Sequence, residues 1–211
     1  MFVFDEIRKS KKVRNLAIAV ALAAGMGITI LINQPSKITS SKDQVRTSIT
    51  YAIGDTGPAG GKIFIIPSTP GNTTGKYFEA APADIPDHIV FCQDTSIISV
   101  TTGNAIGTGT LNTAAMLGKC TTDAPYQAAN YKVANGSKTY SDWFLPAKDE
   151  LNLLYLNRTS IGGLSNGIYW SSSQGQSAQE VWMWSQDFIN GNQMAAYDGN
   201  PDYLRPIRTF N

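Results

Sequence analysis

The sequence predicts an α+β domain preceded by one N-terminal transmembrane helix, and three features point there. Leu16 to Ile32 is a 17-residue apolar run without a charge. Pro146 to Tyr155 carries a clear amphipathic helix signal, with Leu151, Leu154 and Tyr155 spaced i, i+3, i+4. From Tyr169 onward, short runs of strand-forming residues alternate with turn residues.

The apolar run reaches roughly 25 Å as a helix at about 1.5 Å per residue, close to a thin hydrocarbon core. Arg8, Lys9, Lys11, Lys12 and Arg14 crowd its N-terminal side, which keeps that end cytoplasmic. No small-x-small cleavage site follows it, so it reads as a signal anchor ahead of two other readings, a cleaved signal peptide and a buried core helix. The expected division is a basic cytoplasmic segment at 1–15, a transmembrane anchor at 16–33, a polar stalk at 34–50 and an extracytoplasmic domain at 51–211. Charge follows that division. Residues 1–50 carry 8 Lys+Arg and 3 Asp+Glu, whereas residues 51–211 carry 9 and 13. A mildly acidic outer domain gives no electrostatic basis for nucleic-acid binding.

Within the domain, Tyr51 to Pro67 reads as an opening strand pair around Gly54, Gly57, Gly60 and Gly61. Lys76 to Ala80 supplies the next strand. Asn112 is expected to cap a first helix over Thr113–Leu117, stopped by Gly118, and Gln127 to Lys132 to continue the helical layer. The second helix starts near Pro146, takes Asp149 and Glu150 in its first turn, and ends at Asn157 or at Gly162-Gly163. Tyr169–Ser173 and Val181–Phe188 are strands. Asn190-Gly191 marks a hairpin turn of type I′, with Gln193–Tyr197 as the returning strand. Leu204–Phe210 closes the chain, Pro206 marks it as edge-like, and it is expected to lie beside the first strand. Cys92 and Cys120 are the only cysteines and have no metal-ligand spacing. In an exported domain they are expected to form a disulfide.

Four stretches, YAIGDTGPAGGKIF from Tyr51, YSDWFLPAKDEL from Tyr140, YWSSS from Tyr169 and LRPIRTF from Leu204, together resemble the bacterial Lcl C-terminal domain family. The resemblance covers roughly Tyr51 to Asn211 and implies a C-type-lectin-like fold, with two helices packed on short antiparallel strands. It also implies surface recognition through the hairpin system of the C-terminal part.

There, Gln174, Trp182, Trp184, Asn190, Asn192, Gln193, Tyr197 and Asn200 gather aromatic and carboxamide groups, which suit ligand contact. Asp198, Asn200 and Asp202 alternate as the start of a calcium loop does. The sixth and twelfth positions, Tyr203 and Thr209, depart from that pattern, and a turn built from Asp, Gly, Asn and Pro explains the same residues. No other cofactor is suggested. Ser171 to Ser173 lie in no nucleophile-elbow sequence, and the single histidine, His88, lies far off in the chain. The expectation is a non-catalytic, membrane-anchored binding or adhesion module. Its partners would be the membrane, through the N-terminal helix, and a surface glycan, envelope polymer or protein, with oligomers left open. The alternative is a structural subunit of a cell-envelope assembly.

Overall fold

The computed structural model describes residues 49–92, 102–176, 181–196 and 201–211, all within one unit, Thr47–Asn211. Among these residues the element order is β1 (Lys62–Ile65), β2 (Tyr77–Ala80), α1 (Gly109–Met116), α2 (Ala124–Asn130), β3 (Val133–Asn135), β4 (Lys138–Tyr140), α3 (Lys148–Leu156), α4 (Arg158–Ile161), β5 (Ile168–Gln176), β6 (Val181–Asp187), β7 (Gln193–Ala196) and β8 (Ile207–Phe210). This is the expected α+β class, built on small antiparallel sheets in the orders β1-β2-β8, β3-β4 and β5-β6-β7. No helix among the described residues is long and apolar enough to cross a membrane. The expected anchor, Leu16–Ile32, lies outside them.

The last strand does not lie beside the first. β2 is central, and β8 pairs with it in the register Tyr77↔Phe210 to Ala80↔Ile207. A charge pair fits that choice. The register sets Glu79 opposite Arg208, and Arg208 Nη1 donates to Glu79 Oε2 at 2.9 Å with both side chains buried. Glu79 Oε1 also accepts the N–H groups of Ala59 (2.9 Å) and Gly61 (2.8 Å). The glycine-rich opening motif is therefore wrapped around a buried carboxylate. A Cβ at Gly57 would lie 2.5 Å from Glu79 Cδ, and one at Gly61 only 1.9 Å from Ala80 O. Of the expected opening strand pair only β1 is a strand. Its partner is a turn-rich loop that meets it at an isolated Thr56–Lys62 bridge. Gly61→Ala is expected to force β1 away from β2 and cost about 1–3 kcal/mol, read as a lower urea midpoint; an unchanged midpoint would show that the loop gives way freely.

The first helix begins three residues before the expected cap. Asn112 sits inside α1, buried, with Oδ1 accepting Gly103 N–H (2.9 Å) and Nδ2 donating to Gly103 O (2.8 Å) and Ser172 Oγ (3.2 Å). Its hydrogen-bonding groups are consumed by tertiary partners, so it cannot serve as a cap. α2 starts at Ala124 with Pro125 in its first turn, earlier than the segment expected from Gln127. α3 follows expectation: Asn157 ends it, and Gly162, at φ 67°, ends the short α4.

Glu150 ties α3 to the entry of α1. It is fully buried, and its Oε1 and Oε2 accept the N–H groups of Gly107 and Ala147, each at 2.7 Å. Burial pushes its carboxyl up from 4.5 to about 7, while those N–H groups pull it back down. Between these two values the folded chain holds a proton that the unfolded chain has released. Stability therefore falls as pH rises through that window and levels off above it. The expected loss is roughly 2–3 kcal/mol between about pH 4.5 and 7. Urea midpoints taken across that range check it, and a rise with pH would contradict it.

Two apolar clusters flank β5, whose successive residues point to opposite faces. Tyr169 packs with Phe64, Phe78, Leu151, Leu154, Phe188 and Ile207. Trp170 packs with Phe91, Met116, Leu145, Met183 and Leu204, beside the Cys92–Cys120 disulfide. The expected disulfide is thus present. The Asn190-Gly191 turn is not the expected two-residue type I′. Five residues, 188–192, join β6 to β7. Asp187 organises them, its Oδ1 accepting Ile189 N–H (2.7 Å) and its Oδ2 accepting from Asn190 Nδ2 (2.7 Å).

Candidate functional site

β6 alternates its side chains between the two faces of its sheet, so Trp182, Trp184 and Gln186 share the face that α3 partly covers. Met183 and Ser185 point the other way, and Met183 enters the core. The triple serine of β5 locks this sheet to its surroundings. Ser171 Oγ donates to Trp184 O (2.7 Å), Ser172 Oγ accepts from Asn112, and Ser173 Oγ donates to Gly103 O (2.8 Å) and accepts Lys148 N–H (2.9 Å). All three hydroxyls are buried and committed to structure.

Lys148, the first residue of α3, lays its ammonium 3.4 Å from the centroid of the Trp184 ring. Such contact is worth about 0.5–1 kcal/mol at an exposed site and more when desolvated. No ion pair is seen for Lys148 among the described residues, whose three salt bridges involve Arg205 and Arg208. Gln193 fixes the helix end by donating Nε2 to Lys148 O at 3.0 Å. Directly opposite Trp184 on β7 stands Ala195, small and exposed. Trp182 lies against Gly175, where a Cβ would sit 2.3 Å from its Nε1.

Among the described residues, two polar atoms on this face are buried without a hydrogen-bond partner: Trp182 Nε1 and Gln186 Oε1. Gln186 spends its Nε2 on Asn152 Oδ1 (2.9 Å) and Gly191 O (3.1 Å). Buried polar groups normally find partners, and leaving one unsatisfied costs about 1–3 kcal/mol.

Of the residues expected to bind, the structure brings Trp182, Trp184 and Gln193 onto this one face. Gln174 lies on β5 opposite Met183 and donates its backbone N–H to Thr102 Oγ1 (2.7 Å). Asn190 belongs to the turn, with Oδ1 accepting Asn192 N–H (2.8 Å), and Asn192 is exposed beside it. Tyr197 and Asn200 lie outside the described residues, as does Asp198 of the expected calcium set. Asp202, the remaining member, exchanges backbone hydrogen bonds with Ile89. Partial burial raises its carboxyl to about 6, with His88 pulling it back down. No group of three or more metal-ligating side chains occurs among the described residues. His88 meets the Tyr203 ring edge-on, with centroids 4.2 Å apart.

Lys148 and Asn152 were not among the residues expected to bind. Their signal was available: positions 148 and 152 are i, i+4 on the polar side of the one helix the sequence marks clearly. No protein-family model matches this chain, and no curated protein matches it either.

Proposed function

We propose that the chain is a membrane-anchored, extracytoplasmic binding module whose β5–β7 face holds an envelope glycan or polymer. One observation carries this reading: a half-buried indole, Trp184, lies under the ammonium of Lys148, which has no ion pair among the described residues, and beside the small side chain of Ala195. Aromatic faces stack on sugar rings, while carboxamides and orphaned polar atoms supply directional contacts. Lys148 adds a preference for polymers bearing carboxylate or phosphate groups, which a neutral chain would not satisfy.

The resemblance of Tyr51–Phe64 and its companion motifs to the Lcl C-terminal domain, with its C-type-lectin-like fold, supports the same reading. So does the Cys92–Cys120 disulfide, which suits an oxidising compartment. The proposed mode is non-catalytic, since the buried serines have their hydroxyls committed to structural partners.

The test is retention of the purified chain on arrays of neutral and acidic glycans and on isolated envelope polymers, with and without calcium. Binding to acidic members that weakens with salt is the expected outcome. Retention on none of them, alongside a stable complex with envelope proteins, would favour a structural subunit instead.

A further inference from the structure

Sheets expose unpaired backbone groups at their edges, and three of the four edges of the two three-stranded sheets are covered. β1 is flanked by the loop bonds Gly54 N–H to Ile63 O and Ile63 N–H to Asp55 O, both under 3 Å. β8 is met by Phe144, which exchanges both backbone hydrogen bonds with Ile207. The free side of β5 is occupied by Tyr203, by Pro146 O on Ser172 N–H, and by Thr102 Oγ1 on Gln174 N–H. Among the described residues, no backbone hydrogen bond reaches the outer side of β7.

The phase of the ladder identifies the open groups. Asp187 donates its N–H to Asn192 O (2.9 Å), which makes Ser185/Met194 and Met183/Ala196 the next hydrogen-bonded pairs. Gln193 and Ala195 therefore turn their N–H and C=O groups outward. The strand, Gln-Met-Ala-Ala, has no charge and no proline, the usual devices that blunt an edge.

We infer that β7 pairs with β7 of a second copy, antiparallel about a two-fold axis at Met194. In that register Gln193 of each chain faces Ala195 of the other, and the four outward groups of each copy are all satisfied. The arrangement closes on itself, as an isologous contact must. No like charges meet across it, and the two half-buried Met194 side chains supply an apolar contact at the axis. A six-stranded sheet results, with both tryptophan faces on one side. Its cross-strand row runs Trp184, Ala195, then Gln193 and Gln186 of the second copy. The contact goes beyond the binding reading and stands without it, because its test uses no ligand.

Directly opposed, non-hydrogen-bonded residues have Cα atoms about 4.5 Å apart, within disulfide reach. No free cysteine competes, since Cys92 and Cys120 are joined. Met194→Cys in the full-length chain is expected to give a disulfide-linked homodimer under mild oxidation, whereas Thr139→Cys, on exposed β4, stays uncrosslinked. Met194→Lys, which sets two ammonium groups face to face, is expected to convert a sedimenting dimer to monomer with an unchanged melting curve. Equal cross-linking at both positions, a wild-type chain that sediments as monomer throughout, or capture of a different protein at residue 194 would each overturn the pairing. If Met194→Lys fails to fold, the cross-linking comparison still decides.

Discussion

Arg205→Met is expected to lower the unfolding free energy by about 3–5 kcal/mol, the usual cost of breaking a buried ion pair from one side. Arg205 is 1 % exposed and bridges three segments: Nε donates to Asp84 Oδ1 (2.7 Å), Nη1 to Ala81 O (2.7 Å), and Nη2 to Gly163 O. Asp84 in turn accepts Tyr169 Oη (2.7 Å) and Ser165 Oγ (3.1 Å) on Oδ2. Methionine fills the volume but leaves Asp84 charged and two carbonyls unmet. At about 2–4 °C per kcal/mol for a domain of this size, the melting point drops by roughly 6–20 °C. Arg205→Met combined with Asp84→Leu is expected to recover part of that loss, because no carboxylate is then stranded. A double variant as unstable as the sum of the two single variants would show that the pair is not coupled.

Opening the Cys92–Cys120 disulfide is expected to cost about 3–4 kcal/mol, the loop-closure entropy for its separation of 28 residues. Its sulfurs sit inside the Trp170 cluster, joining Cys92, next to Phe91 of that cluster, to the α1–α2 connection. Loss of the bond frees both to move from that core. Paired serine substitutions in an oxidising buffer should give the same drop in urea midpoint as dithiothreitol gives the native chain. A native midpoint indifferent to reductant would mean that the core alone fixes these segments.

How far the sequence carries is plain in particular elements. α3 was legible because Pro146, Asp149, Leu151 and Leu154 all act locally, and the strands β5 and β6 because their residues favour a pleated, half-buried surface. The start of α1 was not legible. It depends on Gly109, where a Cβ would sit 2.3 Å from Glu150 Oε2, and on Asn112 bonding Ser172, both far off in the chain. The central place of β2 likewise accompanies one long-range pair, Glu79 with Arg208. The Asn-Gly dipeptide promised a tight turn, but the Asp187 side chain stabilises a longer one. For the site, composition found the tryptophans and Gln193 on one face. It missed Lys148, because a lysine at a helix start reads as an ordinary solvated charge until the sheet beneath it is placed.

In the proposed binding mode, ligand is held by the Trp184–Lys148 pair and not by a reactive group. Trp184→Ala is the most direct measurement, made on an acidic envelope polymer that the wild-type chain retains. Losing one stacked aromatic is expected to weaken binding by roughly 1–3 kcal/mol, about tenfold or more, with a melting temperature close to that of the wild type. Lys148→Met should lose the salt dependence while keeping part of the affinity. Unchanged binding by Trp184→Ala in a folded protein would contradict the account.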